Sequence, residues 1–237
     1  MKEPKPSLLV LDIETAPAEA YIWRMWDETI GMDQLIKPSR IISVGAKFVG
    51  SSTFYYRDEQ DGNKAMLQMA ADLIARADAI ITYNGDRFDL PKLKGEMLLY
   101  KVKLPPPTAS IDVIKTVKKL GLQSNKLAFA VQHFKLGSKG RTDFRLWRKW
   151  VEGDPVARKK MQFYNRRDVV KLERLYKMVL PAMTSHPTLF AGTPGKCPVC
   201  GGKARPHGHR YTKYFQIQRI ECMGKCKSWT DGKRTKR

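Results

Sequence analysis

Apolar residues fall in short runs along this chain, and their spacing predicts the elements. Leu8 to Leu11 is unbroken and ends on Asp12, the pattern of a strand covered on both faces of a sheet. A polar, Trp-containing stretch follows from Ala16 to Arg40. Ile41 to Val49 and Thr53 to Tyr56 then predict two strands around the turn at Gly50, Ser51 and Ser52. Met66, Met69, Leu73 and Ile74 recur at helical spacing, placing a helix over Lys64 to Ala77, and Ala79 to Tyr83 reads as another short strand.

Pro91 to Tyr100 is expected to be helical, with Pro91 in the first turn. Three prolines, Pro105 to Pro107, stop any element that precedes them. Helices are expected at Val113 to Leu120, Leu127 to Phe134 and, much longer, Val156 to Val179. Strands first and helices later, with one early β-α-β passage, predict a mixed α/β domain over residues 1–180. Pro181, Pro187, Gly192, Pro194 and Gly195 mark 181–196 as a linker, leaving 197–237 as a small module with a basic tail from Lys233.

Charge changes the picture. The 237 residues carry 44 Lys and Arg against 23 Asp and Glu, a net charge of +21 that suggests a polyanionic partner such as nucleic acid. The excess sits in two zones. Lys135 to Lys177 holds 14 basic and 5 acidic residues, and Cys197 to Arg237 holds 11 and 2. No apolar run reaches the roughly 20 residues needed to span a bilayer. Met1 to Ser7 has no signal-like apolar stretch, so the expected place is the cytoplasm, where thiols stay reduced.

The acids interrupt the apolar pattern where acids are costly. Asp12 and Glu14 close the first strand at i and i+2, on one face. Burying two like charges calls for a counter-charge, which a divalent cation supplies; an exposed strand end is the alternative. Asp89 follows a short strand and enters the helix at Pro91, where an ordinary cap is also open. Asp168 lies on the predicted stripe Tyr164, Asp168, Leu172, Leu175 and Val179 of the long helix, and needs either a metal or a buried Arg or Lys.

Asp12-x-Glu14, Asn84-x3-Phe88-Asp89 and Tyr164-x3-Asp168, in that order, resemble the motifs of the DEDD superfamily of 3′–5′ exonucleases, in the tyrosine variant. The chain is similar over about residues 7–180 to the proofreading domain of family B DNA polymerases, and Trp23 to Lys47 looks like phage-encoded members, for which the host cytoplasm would be the setting. The resemblance implies a ribonuclease H-like mixed sheet flanked by helices. It also implies two Mg²⁺ or Mn²⁺ ions about 4 Å apart on Asp12, Glu14, Asp89 and Asp168, with Tyr164 orienting the attacking water. Thr15, Asn84, Phe88, Lys139 and Arg141 become candidate substrate contacts. No polymerase domain follows, so a proofreading role would need a polymerase or other replication or repair partner in trans. DNA is favoured over RNA; a structure-specific endonuclease, an RNase and a non-catalytic binding module stay open.

Cys197, Cys200, Cys222 and Cys226 form two close pairs separated by 21 residues, a structural zinc pattern in a module too small to build a sufficient core. His207 or His209 is an alternative ligand. Tyr211, Lys213, Phe215, Ile217 and Arg219 are expected to share one ribbon face, while Trp23, Trp26, Trp147 and Trp150 are read as packing residues.

Overall fold

The computed structural model describes residues 6–137, 143–190, 193–224 and 226–236. Its strands are β1 (Leu8–Thr15), β2 (Glu19–Ala20), β3 (Leu35–Lys37), β4 (Ile41–Phe48), β5 (Tyr55–Asp58), β6 (Ala79–Thr82) and β7 (Ala109–Asp112), then β8 (Ala204–Tyr211), β9 (Phe215–Cys222) and β10 (Trp229–Lys236). Helices are α1 (Asn63–Ala75), α2 (Asp89–Leu99), α3 (Val113–Val117), α4 (Leu127–His133), α5 (Phe144–Val151) and α6 (Pro155–Val179). The main sheet has the order β5-β4-β1-β6-β7, antiparallel from β5 to β1 and parallel from β1 to β7.

Alternation along β1 divides the core. Leu9, Leu11 and Ile13 point to one face, against Met66, Leu67, Ala70 and Leu73 of α1 and Leu93 and Met97 of α2. Val10 points to the other, where Val169, Leu172 and Leu175 of α6 pack with residues of α3 and α4. Asp12 and Glu14 continue the Val10 side, so the two acids emerge under α6. Burying a leucine such as Leu9 is worth about 2 kcal/mol, which places these acids firmly. Two ion-paired acids pin α6 across the sheet. Asp58, fully buried, takes Arg158 through two bonds of 2.7 and 2.8 Å, and Glu173 pairs with Lys47 and accepts from the Gly50 N–H.

The expected strands and helices appear with shifted ends. The second strand of the Gly50 hairpin lies at Tyr55–Asp58, and α2 starts two residues before Pro91. The β2–β3 pair, β7, α5 and β10 were not foreseen. β7 has four residues just after the proline run, too few to show a period, and it is held by pairing with β6. The predicted stripe on α6 is rotated. Met161, Asn165, Val169, Leu172 and Tyr176 are the buried line, and Tyr164 and Asp168 flank it.

Beyond α6 the polypeptide turns into a three-stranded sheet, β10-β9-β8. The presumed basic tail is its third strand, paired with β9 from Trp229 to Lys236. The expected single face from Tyr211 to Arg219 does not exist, because Thr212 closes a hairpin onto Phe215 and reverses the chain. Cys197, Val199, Ala204, Cys222 and Cys226 pack in the same cluster as Tyr176, Val179 and Leu180 of the α6 end. Among the described residues, no helix is long and apolar enough to cross a membrane.

Candidate active site and metal centres

The parallel strands end together. β1 delivers Asp12 and Glu14, the loop after β6 delivers Asn84 to Asp89, and β7 ends on Asp112. The outer side of the strand carboxyl ends, where the order reverses, is where open α/β sheets bind ligands. β6 pairs with β1 only over Leu8 to Val10, so the Ile13 N–H is left beyond the ladder and donates to Asp89 Oδ1 at 3.2 Å.

Above this edge lies α6. Asn165, with no exposed surface, donates from Nδ2 to Asp12 Oδ2 at 2.8 Å. Its approach depends on Gly45, the β4 residue opposite Asp12: a Cβ there would lie 1.5 Å from Asn165 Oδ1. Tyr164 stands one helical turn before Asp168, whose carboxylate is 3.9 Å from Lys171 Nζ. Trp147 of α5 stands near Glu14, whose charged form it favours, and meets the Tyr164 ring edge-on at 5.7 Å.

The acids perturb one another. Burial first, then the charges of Glu14, Asp89 and Asp168, hold Asp12 well above the ordinary carboxylate range. Glu14 is pushed up to about 8 by burial and then by Asp168 and Asp89. Asp89 rises to about 6, chiefly through burial, although the Ile13 N–H opposes the shift. Burial, then Asp168 and Glu14, also raises the Tyr164 phenol above its usual value. Lys171, 3.9 Å from Asp168, supplies the lysine partner that the sequence left open for that acid, but one ammonium does not balance four carboxylates, and a divalent cation fits the remaining deficit. No three of them bring carboxylate oxygens within 4.8 Å of one another, so the ring is wider than a single-ion cage.

The remaining expected contacts divide. Thr15 ends β1 opposite Ile41. Asn84 takes a left-handed φ of 67° and its N–H donates to Asp112 Oδ1 at 2.7 Å, so it shapes the loop that carries Asp89. Phe88 is half exposed at the start of α2. Lys139 and Arg141 lie outside the described residues. Asn165, Asp112, Lys171 and Trp147 went unnoticed as site residues. Asn165 carries the clearest signal, a polar residue one position past Tyr164 in line with Met161 and Val169. The tryptophans part company: Trp150 is core, whereas Trp23 is 93% and Trp26 77% exposed on a loop held by Glu28, which accepts from the N–H groups of Trp23 and Arg24.

The four cysteine sulfurs all lie within 4.8 Å of one another, with 3.7 Å across both Cys197–Cys226 and Cys200–Cys222. A tetrahedron with metal–sulfur bonds of about 2.3 Å has edges of about 3.8 Å, so the set suits zinc. Burial opposes ionisation of Cys197, but hydrogen bonds from Ser228 and the Cys200 and Val199 amides outweigh it and bring the thiol to about 7. His207 and His209 stand exposed on β8, and the sulfurs close the cluster without them.

A profile of the RNase H superfamily matches residues 28–180, more than half of the sequence. The chain belongs to the RNase H superfamily. The solved structures it resembles include the family B DNA polymerase of the hyperthermophilic archaeon Pyrobaculum calidifontis, with a TM-score of 0.57 and 16% identity over 75% of this chain. The match spans 25% of that polymerase, so the likeness is one of fold. No curated protein matches in sequence. Membership of the RNase H superfamily supports a nuclease, a hydrolase whose substrate is nucleic acid, and superfamily members commonly use divalent metals.

Proposed function

We propose that this chain is a metal-dependent 3′–5′ exonuclease acting on DNA. What carries the reading is the meeting of Asp12, Glu14, Asp89 and Asp168, from three separate segments, in one mutually repelling group at the strand ends. Those four would hold two Mg²⁺ or Mn²⁺ ions. Such ions, when bound, activate a water and neutralise charge on the leaving 3′ oxygen. Asn165 fixes the Asp12 carboxylate through its 2.8 Å hydrogen bond. Tyr164 keeps its proton at neutral pH, so it donates and orients instead of abstracting. Thr15, Asn84 and Phe88 border the place of the terminal nucleotide. The DNA polymerase among its structural neighbours favours DNA, and a polymerase or repair protein acting in trans is the proposed partner.

The test is release of mononucleotides from end-labelled DNA and RNA, single-stranded, duplex and branched. Asp12→Ala and Asp168→Ala should each lower the divalent-dependent rate at least about 10³-fold, the scale of removing an electrostatic group from such a site. Full activity in both variants would sink the proposal. One discrete internal fragment in place of a 3′-shortened ladder would make the enzyme an endonuclease.

A further inference from the structure

A groove of about 600 Å³ runs between α5 and the first half of α6, and none of the four clustered acids lines it. Arg145, Lys149, Lys159, Lys160 and Arg167 line it, with Phe163 and Tyr164. Its two carboxylates are engaged: Asp143 pairs with Arg145, and Asp154 caps α6 by accepting from Val156 and Ala157 N–H groups. Among the described residues, Lys149, Lys159 and Lys160 make no ion pair, and all three are exposed. Arg167 stacks on Phe163, 5.6 Å from the ring centre, and its Nη2 is buried with no hydrogen-bond partner. Phe163 itself is 62% exposed, an aromatic ring standing in a basic channel.

Tyr164 joins this groove to the chemistry, since it also lines a second cavity of about 370 Å³ with Asn84, Asp168 and Lys171. We infer that the α5–α6 groove carries a single strand of nucleic acid leading away from the scissile end, its phosphates on Lys149, Lys159, Lys160 and Arg167 and one base against Phe163. Cations along a backbone with an interleaved aromatic face are what an unpaired strand needs, because every base offers a π-face. Arg167 stacks on Phe163 and so keeps a cation beside the ring on which a base would lie. The direction of the strand rests on the exonuclease reading; the existence of the groove's ligand does not.

The experiment uses the full chain with zinc retained and magnesium omitted, and follows fluorescence anisotropy of 12-nucleotide DNA and RNA single strands and a blunt DNA duplex against salt. Lys149→Gln combined with Lys160→Gln should weaken single-strand binding roughly tenfold and lower the salt slope by about 1.4, two contacts at about 0.7 each. Phe163→Ala should weaken binding at least about fivefold with the slope unchanged, because stacking releases no counterions. All three side chains are exposed, and matching far-ultraviolet spectra check that the variants fold. Unchanged affinity and slope in the double variant, or a loss confined to the duplex, overturns the inference. Hydrolysis by the wild type is measured separately. An inactive wild type whose binding the groove variants still weaken refutes the exonuclease reading alone, whereas an active enzyme with unaltered binding in the variants refutes the groove alone.

Discussion

Among the described glycines, Gly45 is the one whose replacement by alanine should damage this protein most. The new Cβ would lie 1.5 Å from Oδ1 and 2.6 Å from Cγ of Asn165, which is completely buried, and 3.0 Å from Phe54 Cζ. Asn165 must swing away, breaking its 2.8 Å bond to Asp12 Oδ2. Leaving a buried hydrogen-bonding group without its partner costs about 1–3 kcal/mol, and forcing volume into a packed core costs about 1–3 kcal/mol. The expected loss is therefore about 3–5 kcal/mol, or roughly 10–15 °C in midpoint for a domain of this size. Asn165→Ala removes the obstacle as well as the bond, so the double variant should be no less stable than Asn165→Ala alone, a coupling of at least about 2 kcal/mol. Urea unfolding of the four proteins at pH 7 measures this cycle. Gly45→Ala within about 0.5 kcal/mol of wild type, or two simply additive losses, would refute the packing argument. The same variants should demand more metal, because the Asn165 bond helps keep Asp12 ionised.

Other outcomes follow from the same geometry. Glu14 and Asp89 titrate near 8 and 6 in the folded chain but near 4 when unfolded, so between those values the folded state holds more protons and loses stability as pH rises. The magnesium-free midpoint should drop by about 5 °C or more from pH 5 to pH 8, and magnesium should remove much of the drop at pH 8; a midpoint that rises over that range without metal contradicts the shifts. Cys222→Ser should release zinc, read by metal analysis, and lower the midpoint, since the sulfurs pack against the end of α6. Removing 181–237 should do more than weaken nucleic-acid binding: it uncovers Tyr176, Val179 and Leu180, so a truncated chain as stable as the whole would show that the shared core contributes nothing.

Chemistry was legible along the chain because it depends on residue type and local spacing. An apolar run ending in Asp12-x-Glu14, an aspartate at a helix entry and an aspartate one turn after Tyr164 each look out of place in a core, and their order adds weight. The paired cysteines likewise declare a metal site by spacing alone. Helical and strand periods located the longest elements, α1 and α6, to within a residue or two.

Tertiary structure decided what period and type leave open. β7 and the β2–β3 pair are too short to carry a pattern, and they exist through hydrogen bonds to strands distant in sequence. Which α6 residue faces the sheet is a rotation of 100° per position, so one place separates Asn165 from Tyr164, and only packing against β1 and the gap at Gly45 selects between them. Whether four like charges become a cap, a surface or a metal site depends on their distances after folding. Those distances are set by the strand order β4-β1-β6 and by α6 lying across it, a long-range arrangement that no local stretch of residues encodes.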